Sequence, residues 1–287
     1  MSKAVQGVYA AVTVARTEGG KLNEAGLHST LEFLASKGMR RFVLNGATGE
    51  YCLTTPGELR RMLAAAGEIP GAEWLCAIGS AGWAGCVQLG ELALAGGAKA
   101  LLLPMPHFFP YSQDDLRAFC ETVAARLPAP ILLYNLPRFT TPLEPATVES
   151  LVASVANILG VKDSSGRLEI LSRLPETACR IVGDDSALAA ALEAGVCDGV
   201  VSGCAGVLPE LLTDVYRGRG QAAARLDEFI AQLARFPVPW GLKLAAECRG
   251  MAPASFAQPL SAVRREQAAQ FQRWFRKWME ESYFFGS

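Results

Sequence analysis

The chain has 287 residues, 51% of them hydrophobic, with 27 Lys and Arg against 28 Asp and Glu. That is enough apolar material for one large α/β barrel or two small domains. The near-neutral charge with no basic run excludes nucleic acid and anionic membrane surfaces as expected partners, and no apolar run is long enough to span a bilayer.

Lys3 followed by Val8 to Ala15 has a faint look of a signal peptide, but Gln6 and Thr13 interrupt it. Gly7 to Thr13 reads better as a first strand. Asn23 caps an expected helix running to Ser36 or Lys37, with Leu27, Leu31 and Leu34 on one face, and Gly38 ends it. Arg41 to Asn45 is a second strand. A loop, Gly46-Ala47-Thr48-Gly49-Glu50-Tyr51, leads to a helix opened by Thr55-Pro56. Trp74–Gly79, Lys99–Pro104 and Pro130–Asn135 read as further strands. Helices are expected over Gly82–Leu94, from Ser112 to Leu127, and over Glu144–Ala153.

Asn157 to Lys162 is the sixth strand, and a helix follows from Arg167 to Leu174. Strands at Cys179–Gly183 and Asp198–Ser202 alternate with helices at Asp185–Ala194 and Leu208–Arg217. Eight strand–helix units in this cadence predict a (β/α)8 barrel over residues 1–218. Residues 219–287 read as C-terminal helices packed on the barrel: Gln221–Arg235, Trp240–Arg249 and Val263–Glu281. In the last of these, Phe271, Trp274, Phe275 and Trp278 form a stripe at helical spacing, suited to packing on the barrel or on a second subunit.

The eight cysteines stand singly, without zinc or redox spacing, and mostly inside apolar segments. Reduced, buried thiols in a cytoplasmic protein are expected. With only His28 and His107, neither a histidine metal site nor a Ser-His-Asp triad is expected.

Lys162 is the residue around which the site is built. It ends an apolar strand, Ile158-Leu159-Gly160-Val161, and precedes small polar residues. Desolvation there disfavours the ammonium, and a neutral amine is a nucleophile toward carbonyls. In a barrel of this kind, sites lie at the carboxyl ends of the strands. Tyr134 at the end of the fifth strand and the Gly46–Glu50 loop after the second therefore share a mouth with Lys162. An amine, a phenol and a glycine-rich loop together suit imine chemistry on a carbonyl, with backbone N–H groups holding a carboxylate.

Gly-Ala-Thr-Gly-Glu at 46–50, Tyr-Asn-Leu-Pro at 134–137 and Gly-Val-Lys-Asp at 160–163 resemble the dihydrodipicolinate synthase / N-acetylneuraminate lyase family in order, spacing and strand position. Trp240-Gly241-Leu242-Lys243 adds to the likeness. The resemblance implies a class I aldolase-type lyase forming a Schiff base with pyruvate or another 2-keto acid. It also implies no metal or organic cofactor, and a homo-oligomer, tetramer or dimer. Lys162 would form the imine, Tyr134 would pass protons, and Thr48 would hydrogen-bond that tyrosine. Gly46 and Ala47 would lie against the keto acid, with the 47–48 backbone on its carboxylate. Phe139, Arg138, Gly183 and Val201 would line the remainder of the pocket.

Three departures from the family pattern bear on substrate. Ala47 replaces the first loop hydroxyl. Phe108 stands where the synthase has a tyrosine that reaches across a dimer. Phe139 stands where the synthase has an arginine for a substrate carboxylate, with Arg138 one place earlier. Asp184 and Asp185 would repel a phosphate and could accept hydroxyl protons. The expected reaction is therefore aldol cleavage, condensation or dehydration of a 2-keto-3-deoxy sugar acid. Condensation of pyruvate with aspartate semialdehyde is the alternative, and a keto-acid sensor with weak turnover is the alternative of another class.

Overall fold

The computed structural model of the protein describes residues 3–281, so residues 282–287 of the expected C-terminal extension lie outside the described part. Eight strands form the frame: β1 (Gly7–Ala11), β2 (Arg41–Leu44), β3 (Glu73–Ala77), β4 (Ala100–Pro104), β5 (Ile131–Asn135), β6 (Ile158–Asp163), β7 (Cys179–Val182) and β8 (Gly199–Ser202). Each pairs in parallel with the next, and β8 closes on β1, giving the (β/α)8 barrel that the alternation predicts.

Period-2 alternation along the strands sorts the side chains into two layers. Tyr9, Val43, Leu75, Leu102, Leu132, Ile181 and Val201 fill the barrel interior. The alternate set, among them Phe42, Leu44, Cys76, Leu101 and Leu133, packs outward under the helices.

The helices are α1 (Glu24–Ser36), α2 (Pro56–Gly67), α3 (Trp83–Ala95), α4 (Gln113–Ala124), α5 (Pro145–Ser154), α6 (Glu169–Arg173), α7 (Leu188–Glu193) and α8 (Pro209–Tyr216). Local chemistry starts several of them. The Asn23 side chain accepts from the Gly26 N–H. Thr55 with Glu58, and Ser112 with Asp115, form reciprocal capping boxes. Each such cap contributes about 1 kcal/mol by satisfying amides that the helix leaves unpaired. The helix expected from Asp185 begins instead as a 3₁₀ turn at Asp185–Ala187, because the Asp184 carboxylate takes the Ser186 N–H and hydroxyl.

Gly160 shows why β6 tolerates no side chain at its middle. It has φ +156, and a Cβ there would collide with the Cys179 backbone of β7. The pairing of β5 with β6 shifts by one residue between Ile131 and Leu132. From there it runs in step, setting Tyr134 opposite Lys162 and Asn135 opposite Asp163.

After the barrel come α9 (Ala222–Leu233), α10 (Trp240–Cys248) and α11 (Ala262–Glu280). The aromatic stripe of α11 is spent within the chain. Phe229 stacks on Trp278 at 5.8 Å between centroids and lies 5.5 Å from Phe275, and Phe236 meets Phe271 edge-on at 5.4 Å. Phe271, Phe275 and Trp278 are buried by these contacts, so the stripe does not call for a second subunit. Five of the eight cysteines are buried and all are free thiols, but Cys52 is exposed because its 3₁₀ turn, Tyr51–Leu53, lies at the surface. No helix of the described residues is long and apolar enough to cross a membrane.

Candidate active site

At the carboxyl ends of the strands a cavity of about 430 Å³ opens between the barrel mouth and the C-terminal helices. Lys162 stands at its inner end with 3% of its surface exposed. Its Nζ lies 3.8 Å from the centroid of the Tyr134 ring and makes no hydrogen bond or ion pair among the described residues. Burial pushes the Lys162 amine down to about 7, and the nearby Asp185 carboxylate opposes that shift. An amine in this state is substantially neutral at physiological pH.

Gly183 makes room for the lysine. A Cβ there would sit 2.8 Å from Lys162 Cε and would overlap the Ser164 hydroxyl. Outside the barrel wall, Asn135 Nδ2 donates to Asp163 Oδ1 at 2.8 Å, and Asp163 also accepts from the Ser165 N–H and hydroxyl. Asn135 Oδ1 accepts from Leu143 N at 3.0 Å. The pair thus pins β5 to β6 one residue beyond Tyr134 and Lys162, which keeps those two side chains on one rung facing inward.

The Tyr134 phenol is buried, and burial raises its ionisation well above the usual range. The Ser164 hydroxyl and the Ala47 backbone N–H act in the opposite sense, favouring the phenolate. Ser164 Oγ is buried and makes no hydrogen bond among the described residues, so it is a hydroxyl free to turn toward the phenol. Thr48, the hydroxyl expected beside Tyr134, points elsewhere: its Oγ1 lies 3.4 Å from where a Cβ of Gly203 would be, across the mouth. The Thr48 hydroxyl thus lies toward the turn that follows β8. Ser164 was missed; the available signal was a hydroxyl two residues beyond a strand-end lysine.

The loop is held at both ends in the left-handed region, Asn45 at φ 57° and Glu50 at φ 54°. That conformation is costly for non-glycine residues and persists where surroundings enforce it. Asn45 Nδ2 donates to the Ala77 carbonyl at 2.8 Å. Glu50 is buried against Lys243 of α10, whose Nζ also donates to the Ser255 carbonyl at 2.8 Å. Between these anchors Ala47 and Thr48 line the cavity, and neither amide donates to another described backbone carbonyl. Gly46 lies behind them, not on the cavity, with its carbonyl accepting from Tyr51 N at 3.2 Å.

Arg138, Phe139, Gly183 and Val201 all border the cavity. Arg138 is 72% exposed, with its guanidinium 3.8 Å from Asp184. Phe139 is 49% exposed. Of the two carboxylates expected to take substrate hydroxyls, Asp184 is occupied by Ser186 and Arg138. Asp185 Oδ2 accepts from Cys204 N at 3.0 Å, whereas its Oδ1 is buried and unpartnered. The far wall, which the sequence reading did not assign to the site, comes from α9 and the turn into α10: Leu233, Phe236, Val238 and Leu242.

Residues 4–277 match the Dihydrodipicolinate synthetase family. The 4-hydroxy-tetrahydrodipicolinate synthase of Sorangium cellulosum (strain So ce56) is 31% identical, over 92% of this chain and 93% of the relative. That of Methanopyrus kandleri is 29% identical, over 95% and 96%. Among solved structures, dihydrodipicolinate synthase from Aquifex aeolicus superposes with a TM-score of 0.85 at 24% identity, over 96% of this chain and 98% of that one. N-acetylneuraminate lyase from Mycoplasma synoviae does so with 0.81 at 19%, over 96% and 97%. At these identities the structural likeness speaks for the fold. The family match over nearly the whole chain speaks for descent, and the chain belongs to the dihydrodipicolinate synthetase family, as a lyase of the class I aldolase type.

Proposed function

We propose that the protein makes or breaks a carbon–carbon bond of a 2-keto acid through an imine at Lys162, with an aldehyde partner that carries no second carboxylate. The observation that carries this reading is the buried Lys162 amine, lowered to about 7 and set 3.8 Å from the Tyr134 ring at the closed end of a cavity.

The cleavage direction balances as follows. The Lys162 amine adds to the keto carbon, and Tyr134 gives its proton to the departing water, leaving an iminium and a phenolate. The phenolate takes the C4 hydroxyl proton as the C3–C4 bond breaks, and that electron pair passes to the iminium nitrogen. An aldehyde leaves and an enamine remains. Tyr134 then protonates C3, and water releases pyruvate and restores the amine. Ser164 and the Ala47 N–H steady the phenolate at both turns. The Thr48 amide, which donates to no described backbone carbonyl, suits the keto-acid carboxylate.

Within this class the sequence favours 2-keto-3-deoxy sugar acids, and Phe139, a ring in place of a cation, supports an uncharged partner. A second reading, synthase activity on aspartate semialdehyde, draws on Arg138 at the mouth and on the names of the relatives. Free thiols throughout suit a cytoplasmic setting. Borohydride added with pyruvate tests the imine: the expected result is one reduced pyruvyl adduct on Lys162, absent in Lys162→Arg, whose guanidinium stays protonated. An adduct on Lys243 or Lys99, or none, overturns it. Efficient use of aspartate semialdehyde, lost in Arg138→Ala, would favour the second reading.

A further inference from the structure

The cavity is divided by chemistry. Its inner end carries Lys162, Tyr134, Ser164 and the Ala47–Thr48 backbone. Its outer half is walled by Phe139 on one side and by Leu233, Phe236, Val238 and Leu242 on the other. Phe139 and Val238 are each about half exposed at the rim. The volume of about 430 Å³ far exceeds what a three-carbon keto acid fills, so the outer half is available to the rest of the substrate.

The Arg138 guanidinium, 72% exposed, lies 3.8 Å from the Asp184 carboxylate, which also accepts from Ser186, so the rim carries both signs of charge and no unopposed cation. Deeper in, Asp185 lines the cavity with a buried carboxylate whose charge acts on Lys162 and which lies beside Ser202 and Cys204.

We infer that the aldehyde partner carries an apolar arm, aromatic or branched aliphatic, that lies between Phe139 and the α9–α10 wall. Its substrate in the cleavage direction is then a 4-hydroxy-2-keto acid with a hydrophobic group on C4. This rests on the imine reading of Lys162 and narrows it, moving the expected partner away from polyhydroxylated aldehydes. The apolar wall gains from covering a hydrocarbon surface and would strip water from sugar hydroxyls without replacing their hydrogen bonds.

The experiment compares kcat/KM for cleavage of three pyruvate adducts, those of benzaldehyde, acetaldehyde and glyceraldehyde, with borohydride trapping of pyruvate run in parallel. The benzaldehyde adduct is expected to exceed the glyceraldehyde adduct by about ten-fold or more, the scale on which a hydrophobic pocket discriminates. In the double variant Phe139→Asn/Val238→Asn that ratio should fall by about ten-fold. A wild-type enzyme that traps pyruvate but prefers the glyceraldehyde adduct overturns this inference alone. Failure to trap pyruvate removes the imine reading and this inference with it. A ratio untouched in the double variant, or a change in its mass by light scattering that marks the rim as a subunit contact, also overturns it.

Discussion

Tyr134 and Lys162 are direct neighbours in the β5–β6 register, and the lysine Nζ lies over the phenol ring 3.8 Å from its centroid. The ring gives the amine an apolar neighbour that excludes water, while the charge that steadies the ammonium comes from Asp185. Burial and charge therefore act on this amine separately and in opposite directions, burial being the larger influence.

The first prediction follows from that separation. The amine is neutral above its ionisation midpoint, so the rate of pyruvate trapping should rise as pH climbs through about 7 and then level off. Asp185 raises the midpoint; Asp185→Asn should therefore move it to lower pH. Single-turnover trapping across a pH series measures both. A wild-type midpoint near 10 would show that burial does not govern this lysine.

Removing the phenol oxygen should separate chemistry from packing. Tyr134→Phe is expected to lower turnover by roughly 10²–10⁴-fold, the range for a general acid–base group, with a much smaller change in pyruvate binding. Ser164→Ala removes a buried hydroxyl that favours the phenolate and should lower turnover by about two- to ten-fold. Steady-state kinetics of both variants on one substrate decide the point. Near-full activity in Tyr134→Phe would make the phenol structural.

The ion pair beneath the loop is a stability element. Lys243→Met leaves the Glu50 carboxylate buried without its cation and should destabilise the fold by about 3–5 kcal/mol. The double variant Glu50→Gln/Lys243→Met should recover much of that loss, because no uncompensated charge remains. Urea unfolding of the single and double variants tests this. Equal loss in both would mean that the pair acts through packing alone.

Phe108 and Phe109 follow β4 at the surface, 85% and 61% exposed, with rings 4.8 Å apart edge to face, and Phe108 is held at φ 88°. Two exposed phenylalanines, one in a backbone region unfavourable to it, fit burial by another copy of the chain. Light scattering at micromolar concentration should give a tetramer or dimer, and Phe108→Ser/Phe109→Ser a smaller species. A wild-type monomer would remove this role.

The barrel and the Lys162–Tyr134 rung were legible in the sequence because both are written locally. Strand–helix alternation gives the barrel, and strand ends give the mouth. What escaped was set by side-chain direction and by long-range packing. Thr48 and Ser164 are both hydroxyls that line the cavity, and the local sequence does not set the direction of either side chain. Asp184 and Asp185 look equivalent in sequence, yet one is consumed by Ser186 and Arg138 while the other keeps a free oxygen. The α9–α10 wall lies far along the chain from β5 and β6, and no local pattern announces that Leu233 and Val238 reach the cavity. The α11 stripe was read for its face correctly, but its partners, Phe229 and Phe236, could be named only with the helices in place.

The left-handed anchors at Asn45 and Glu50 have one more implication. They fix the path of the loop from outside it, through the Ala77 carbonyl on one side and Lys243 on the other. Residue 47 therefore contributes an amide whose position owes little to its own side chain. Loss of a hydroxyl there leaves the cradle in place, and a hydroxyl on another strand can take up the neighbouring duty. The amide is thereby insulated from exchange of the side chain at this position.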